Sequence, residues 1–247
     1  MNRILKTMLV AGCVFMVACS DNDEPKIPSN AISLNMMNDG NGKTTIGGSD
    51  VYINSSNNFE SDYCGIIDLG RKGSFSQNPD LTQIAQEVAV TPGNYYQIVL
   101  ARDVLTVAGQ RAFPVNSNYY NVYVDSWLYG SDNEISGAKV SYAECYPAVN
   151  ELPEWGSSFP IYMKSEDNHG ESATYTFAKG VEVSTNYSIY DFEGSNLKQY
   201  LKVNIAGNKI VFYNTAYGTY NGKVEMIVNV RYKSLYTQVR FIVSSSF

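Results

Sequence analysis

The chain has 247 residues, enough to bury one or two hydrophobic cores. Hydrophobic residues make up 44% and charged residues only 17%, with 18 basic side chains against 24 acidic, which excludes a highly charged disordered polymer and a basic nucleic-acid binder. The composition has 20 Tyr but one His, which favours strands and leaves little scope for imidazole chemistry.

Residues 1–18 read as a secretory signal. Arg3 and Lys6 form a positive head, and residues 7–18 are an apolar run too short for a permanent membrane span. Met16-Val17-Ala18-Cys19 resembles a bacterial lipobox, with Met16 in place of the usual Leu. The resemblance implies cleavage before Cys19, a diacylglycerol on its thiol and acylation of the new amine, a far firmer hold than one acyl chain. The alternative is ordinary secretion, with Cys19 a free thiol. Cleavage would remove Arg3 and Lys6, leaving 16 basic against 24 acidic residues and taking the net charge from −6 to −8. Residues 19–30 read as a flexible acidic tether. Ser20-Asp21-Asn22-Asp23-Glu24 resembles the export signal of Bacteroidetes surface lipoproteins, implying display on the outer membrane; a solvated linker is the plainer reading.

The rest predicts a mostly β protein of two domains, residues 31–132 and 133–247, divided at the turn formers of residues 130–135 (GSDNEI). In the first, residues 31–36, 50–54, 65–69, 95–100 and 119–123 read as strands. Asn78 as cap, Pro79 at the first helical position, and Leu81, Ile84, Ala85 and Val88 on one face predict a short helix. The second domain carries the stronger pattern. Leu201, Val203 and Ile205 alternate with polar residues up to Gly207-Asn208, then Ile210 and Phe212 resume, so a two-residue turn would set Ile205 opposite Ile210 and Val203 opposite Phe212. A second hairpin sets Val224, Met226, Val228 and Val230 against Val239, Phe241 and Val243, with Asn221-Gly222 as the turn before it. Residues 139–142, 173–177 and 181–183 read as weaker strands. About seven short strands predict an immunoglobulin-like antiparallel sandwich, without the Cys…Trp…Cys signature of antibody domains.

Three segments, Asn57-Asn58-Phe59, Gly65-Ile66-Ile67-Asp68-Leu69-Gly70 and Thr91-Pro92-Gly93-Asn94-Tyr95-Tyr96, together with the signal and Cys19, carry a resemblance to an uncharacterised family of gut Bacteroidetes lipoproteins classed as a domain of unknown function. The resemblance implies a cell-envelope location and transfers no catalytic residue.

The sole imidazole, His169, sits in a polar turn, and no nucleophile elbow accompanies it. Asp125, Glu144, Glu151, Glu154, Glu166 and Asp191 could supply the carboxylate pair of a glycosidase, but no spacing singles out two of them. Residues 38–42 (NDGNG) resemble a calcium loop, yet Met37 and Gly48 would fall on ligand positions that need oxygen, so a turn is expected. No metal, cofactor or nucleic-acid partner is therefore expected. Cys64 and Cys145 could form a disulfide between the halves or lie apart as buried thiols. Trp127, Tyr129, Trp155 and Tyr162 are candidate ligand-binding aromatics, because surface Tyr and Trp can stack on sugar rings; the competing reading is core filling. The expectation is a lipid-anchored, non-catalytic surface protein that binds a glycan, a host ligand or a partner protein. The alternatives are a structural subunit of the envelope and, further off, a glycoside hydrolase.

Overall fold

The computed structural model describes residues 24–166, 170–192, 194–215 and 222–245. The signal, Cys19, most of the acidic run, His169 and Asn221 lie outside the described residues. The strands begin with β1 (Ile32–Met37), β2 (Tyr52–Ile53), β3 (Asn58–Glu60), β4 (Cys64–Gly70), β5 (Glu87–Ala89) and β6 (Tyr95–Leu100). There follow β7 (Leu105–Val107), β8 (Gln110–Pro114), β9 (Tyr119–Tyr129), β10 (Ile135–Cys145) and β11 (Ser158–Glu166). The last are β12 (Gly170–Thr176), β13 (Glu182–Asp191), β14 (Leu201–Ala206), β15 (Lys209–Asn214), β16 (Gly222–Tyr232) and β17 (Leu235–Ser245).

The chain is mostly β, as expected. One antiparallel sheet runs β1-β10-β9-β6-β4, and a small one runs β2-β3-β5. The third runs β13-β16-β17-β11-β12-β15-β14, with β8 joined to β17 and β7 to β8. Strand β11 serves two neighbours in turn: Ser158 to Met163 pair in parallel with Arg240 to Ser245, and Lys164 to Glu166 pair antiparallel with β12.

Hydrophobic period explains the third sheet. The β14–β15 register sets Ile205 opposite Ile210 and Val203 opposite Phe212, as the alternation predicts. Gly207 takes φ 59°, the sign that a II′ turn requires of its first loop residue. In β16–β17, Val224, Met226 and Val228 pair with Val243, Phe241 and Val239, all buried. The inward faces of β12, β14 and β15 meet those of β13, β16 and β17 in one cluster, where the Phe241 ring touches Phe159, Tyr175, Phe177 and Phe212.

In the first sheet the apolar runs of β4 and β6 do not alternate, because those two strands are buried on both faces. Ile66 and Ile98 enter a cluster with Met36, Ile53, Phe59 and Val140. Their neighbours Ile67 and Val99 enter the same cluster as Phe212 and Phe241. The two halves of the chain thus share a core.

Two expectations are corrected, and of the two readings left open for the cysteines one is found. The helix after Asn78 is one 3-10 turn, Leu81–Gln83, capped by the Asp80 side chain, because Ala85 bridges to Ile66 and Val88 pairs with Phe59 in β5. Tertiary pairing overrides the helical period there. The turn formers of residues 130–135 close the β9–β10 hairpin within one sheet, so β10 belongs with the N-terminal strands. Cys64 and Cys145 are both free thiols; Cys64 packs with Met36 and Ile98, whereas Cys145 sits beside Phe75 and Tyr95.

Candidate ligand-binding groove

The four aromatics expected to bind ligand do not assemble into one site. Trp127 on β9 leans on the core beneath the first sheet, and Tyr129, at the end of that strand, is 60% exposed. Tyr162 on β11 is 67% exposed on the third sheet. Trp155 lines a concave site.

That site is built on the segment joining β10 to β11. Pro147 and Pro153 keep it out of regular structure. It is held instead by side chains and isolated backbone bonds. The Asn78 amide donates to the Ala148 carbonyl at 2.7 Å and accepts from the Ala148 N–H at 3.1 Å, acting as a one-residue strand partner. Leu152 is buried in the shared core, and Gly156 N–H donates to the Gln238 carbonyl at 2.7 Å. Trp155 is thereby set edge-on to Tyr236, with ring centres 5.7 Å apart, and remains 37% exposed. Burial, helped by the charge of Asp103, pushes the Tyr236 hydroxyl up to about 12, so it stays neutral under Trp155.

The resulting groove holds about 380 Å³, within the range of small-ligand sites. Its walls are apolar, with Val115, Val149 and Leu152 beside Trp155. Asn116, Asn150 and Glu154 also line it, and among the described residues their side chains make no hydrogen bond. A hollow of about 270 Å³ shares Ala148, Val149 and Asn150 and extends toward Lys233. An indole face beside unengaged amides and a carboxylate can stack on a sugar ring while hydrogen-bonding its hydroxyls, or can seat a short peptide. Sequence reading reached Trp155 as an aromatic able to stack on a sugar ring, but missed Asn116 and Asn150. Nothing in their local sequence separates them from ordinary turn asparagines.

Three of the candidate carboxylates have structural partners. Asp125 accepts from Ser141, Glu144 from Asn118, and Asp191 from the Lys198 N–H. Glu151 lines the smaller hollow and Glu154 the groove, and the Glu166 side chain lies outside the described residues. Residues 39–41 make a 3-10 turn rather than a calcium loop, and no trio of His, Cys, Asp and Glu gathers among the described residues. No helix among them is long and apolar enough to cross a membrane.

The three segments that carried the family resemblance form scaffold. The Tyr96 hydroxyl donates to the Ala89 carbonyl and accepts from Thr91 N–H, locking the turn before β6. Phe59 meets the Tyr96 ring edge-on at 5.0 Å, and Asn94 reaches the Asp68 carboxylate. Close by, Asp50 ties the turn into β4 through Ser61 Oγ and the N–H groups of Asp62 and Tyr63. Partial burial opposes ionisation of Asp50, but these bonds more than offset it, and its carboxyl lies below the ordinary value.

No curated protein and no solved structure matches the chain. One family model does, the "Domain of unknown function (DUF5036)", over residues 33–244. That span reaches from within β1 to within β17, and the chain belongs to this family.

Proposed function

We propose that this protein is an outer-membrane lipoprotein, anchored through Cys19 and displayed at the cell surface, that acts as a non-catalytic binding module. Its ligand is a glycan, a host ligand or a partner protein, received in the Trp155 groove. The observation that carries this reading is a half-exposed indole beside three polar side chains that have no hydrogen-bond partner among the described residues. Polar groups left unengaged at an apolar wall are what a ligand can use for orientation. The anchor rests on the lipobox-like Met16-Val17-Ala18-Cys19 and the acidic run after it. We further read β11–β17 as an immunoglobulin-like sandwich. In support, β14-β15-β12-β11 and β13-β16-β17 reproduce the order in which that fold divides seven strands between two sheets.

The test is a glycan array probed with the full chain in mild detergent, followed by titration of Trp155→Ala with any bound glycan. We expect at least about a tenfold loss of affinity with an unchanged melting temperature, in line with a hot-spot aromatic. Unaltered binding by the variant would remove the groove from the reading. Intact mass of the native protein checks the anchor, since an unmodified Cys19 thiol would overturn it.

A second reading, a structural subunit of the envelope, is favoured by one feature. The edge strand β13 carries exposed Tyr187 and Tyr190, with Phe192 just beyond it. Exposed aromatics along an open strand edge suit strand-to-strand association. A monomeric mass in light scattering at high concentration would set this reading aside.

A further inference from the structure

The outer face of β12, β14 and β15 carries a charge opposite to that of the whole chain. Directly paired residues share a face of a sheet, so the register builds one row across four strands: Lys164, Ser172, Tyr213, Lys202. The next rows are Thr174, Val211, Asn204 and then Thr176, Lys209, Ala206. Lys164, Lys202 and Lys209 are exposed, and among the described residues none enters an ion pair. These three rows contain no acidic residue; Glu171 on β12 is buried, held by Asn214 and Ser245, and Glu166, two residues after Lys164 on β11, has its side chain outside the described residues. Tyr213, 41% exposed, stands between the two ends of the first row. Strands lie 4.7–4.9 Å apart, so Lys164 and Lys202 are about 14 Å apart across the face.

We propose that this face binds an acidic polysaccharide, its negative charges met by Lys164, Lys202 and Lys209 and one of its sugar rings stacked on Tyr213. The overall net charge of −6 does not forbid this, because charges more than about 8 Å away are screened at physiological ionic strength. Local sign therefore governs contact. The face lacks the broad apolar surface that seats a protein in a membrane interface, since Val211 is half-buried and its large exposed aromatics are tyrosines with a polar hydroxyl, Tyr213 and, two residues before Lys164 on β11, Tyr162. Its other outward groups, Asn204, Thr174 and Thr176, are hydroxyls and an amide, suited to sugar hydroxyls. Single lysine contacts are weak at a surface, but a polymer that repeats its charges engages several at once.

The site is separate from the Trp155 groove, and the experiment keeps the two apart. The full chain in mild detergent is run by affinity electrophoresis through gels containing polygalacturonate or neutral dextran, and is also mixed with phosphatidylglycerol vesicles. We expect retardation by polygalacturonate alone, lost at high salt. A Lys164→Gln, Lys202→Gln, Lys209→Gln variant should lose at least about tenfold in affinity, and Tyr213→Ala should weaken binding with its salt dependence retained. Trp155→Ala should match the parent. Equal retardation of the triple variant and the parent would overturn the proposal, as would equal retardation by dextran, loss of binding in Trp155→Ala, or binding to the vesicles alone. The substituted lysines are exposed, so melting temperatures should match and no loss should reflect unfolding.

Discussion

Cys64 shows how strongly a few neighbours define a side chain. Burial first, and then its hydrogen bond to Asp50, push its thiol up to about 11. At pH 8 it is therefore a buried, protonated group, and thiolate is the form that reacts. A disulfide-exchange reagent should leave Cys64 unmodified in the native protein and label it once guanidinium unfolds the chain; peptide mapping of the two samples reads the difference. Asp50 and Glu87 respond to acid in the opposite sense. Both carboxyls lie below their ordinary values, Glu87 through hydrogen bonds from Asn58 and Asn54. A depressed carboxyl contributes stability that is full above its unfolded value and lost as pH falls through its folded one. Urea midpoints should therefore hold from pH 7 to about pH 5 and fall below about pH 4, more gently in Asp50→Asn, which should start from a lower midpoint.

At the scale of elements, the most informative residue is Phe241, whose ring is shared by β11, β12 and β15 from its place on β17. Phe241→Ala should cost about 3–5 kcal/mol by denaturant unfolding, because so many rings cannot close over one cavity. Its hairpin with β16 was legible from the alternation of one buried face, and β14–β15 from that alternation together with a turn that agrees with it. Residues 78–88 were not legible. Leu81, Ile84, Ala85 and Val88 keep a helical period, yet Ile66 and Phe59, distant in sequence, draw Ala85 and Val88 into pairing. The groove was half legible. An exposed Trp near a junction is a local signal, whereas the approach of Val115 and Asn116 depends on β8 running along β17 through Phe113 and Val115 N–H groups. The strand Ile135–Cys145 misled for a related reason, since turn formers mark a hairpin and a domain boundary alike.

For the whole molecule the shared core is decisive. Ile67, Val99 and Tyr119 from the first sheet lie in one cluster with Val224, Met226 and Phe241 from the third. Unfolding either half would strip apolar cover from the other, so tryptophan fluorescence and far-ultraviolet circular dichroism should report one coincident urea transition. Two separated transitions would show that the shared cluster is too weak to couple them. Strand β11 adds a mechanical consequence. It follows the connecting segment and runs parallel to the final strand over six residue pairs, from Ser158 with Arg240 to Met163 with Ser245. Tension applied between residues 24 and 245 would load those rungs in shear, so that they must give way together rather than unzip singly. In single-molecule pulling, a proline at a ladder-bonded position of β11 should lower the rupture force far more than one at the free edge of β14. A body held near β1 and pulled from β17 would have its firmest latch where that force is carried.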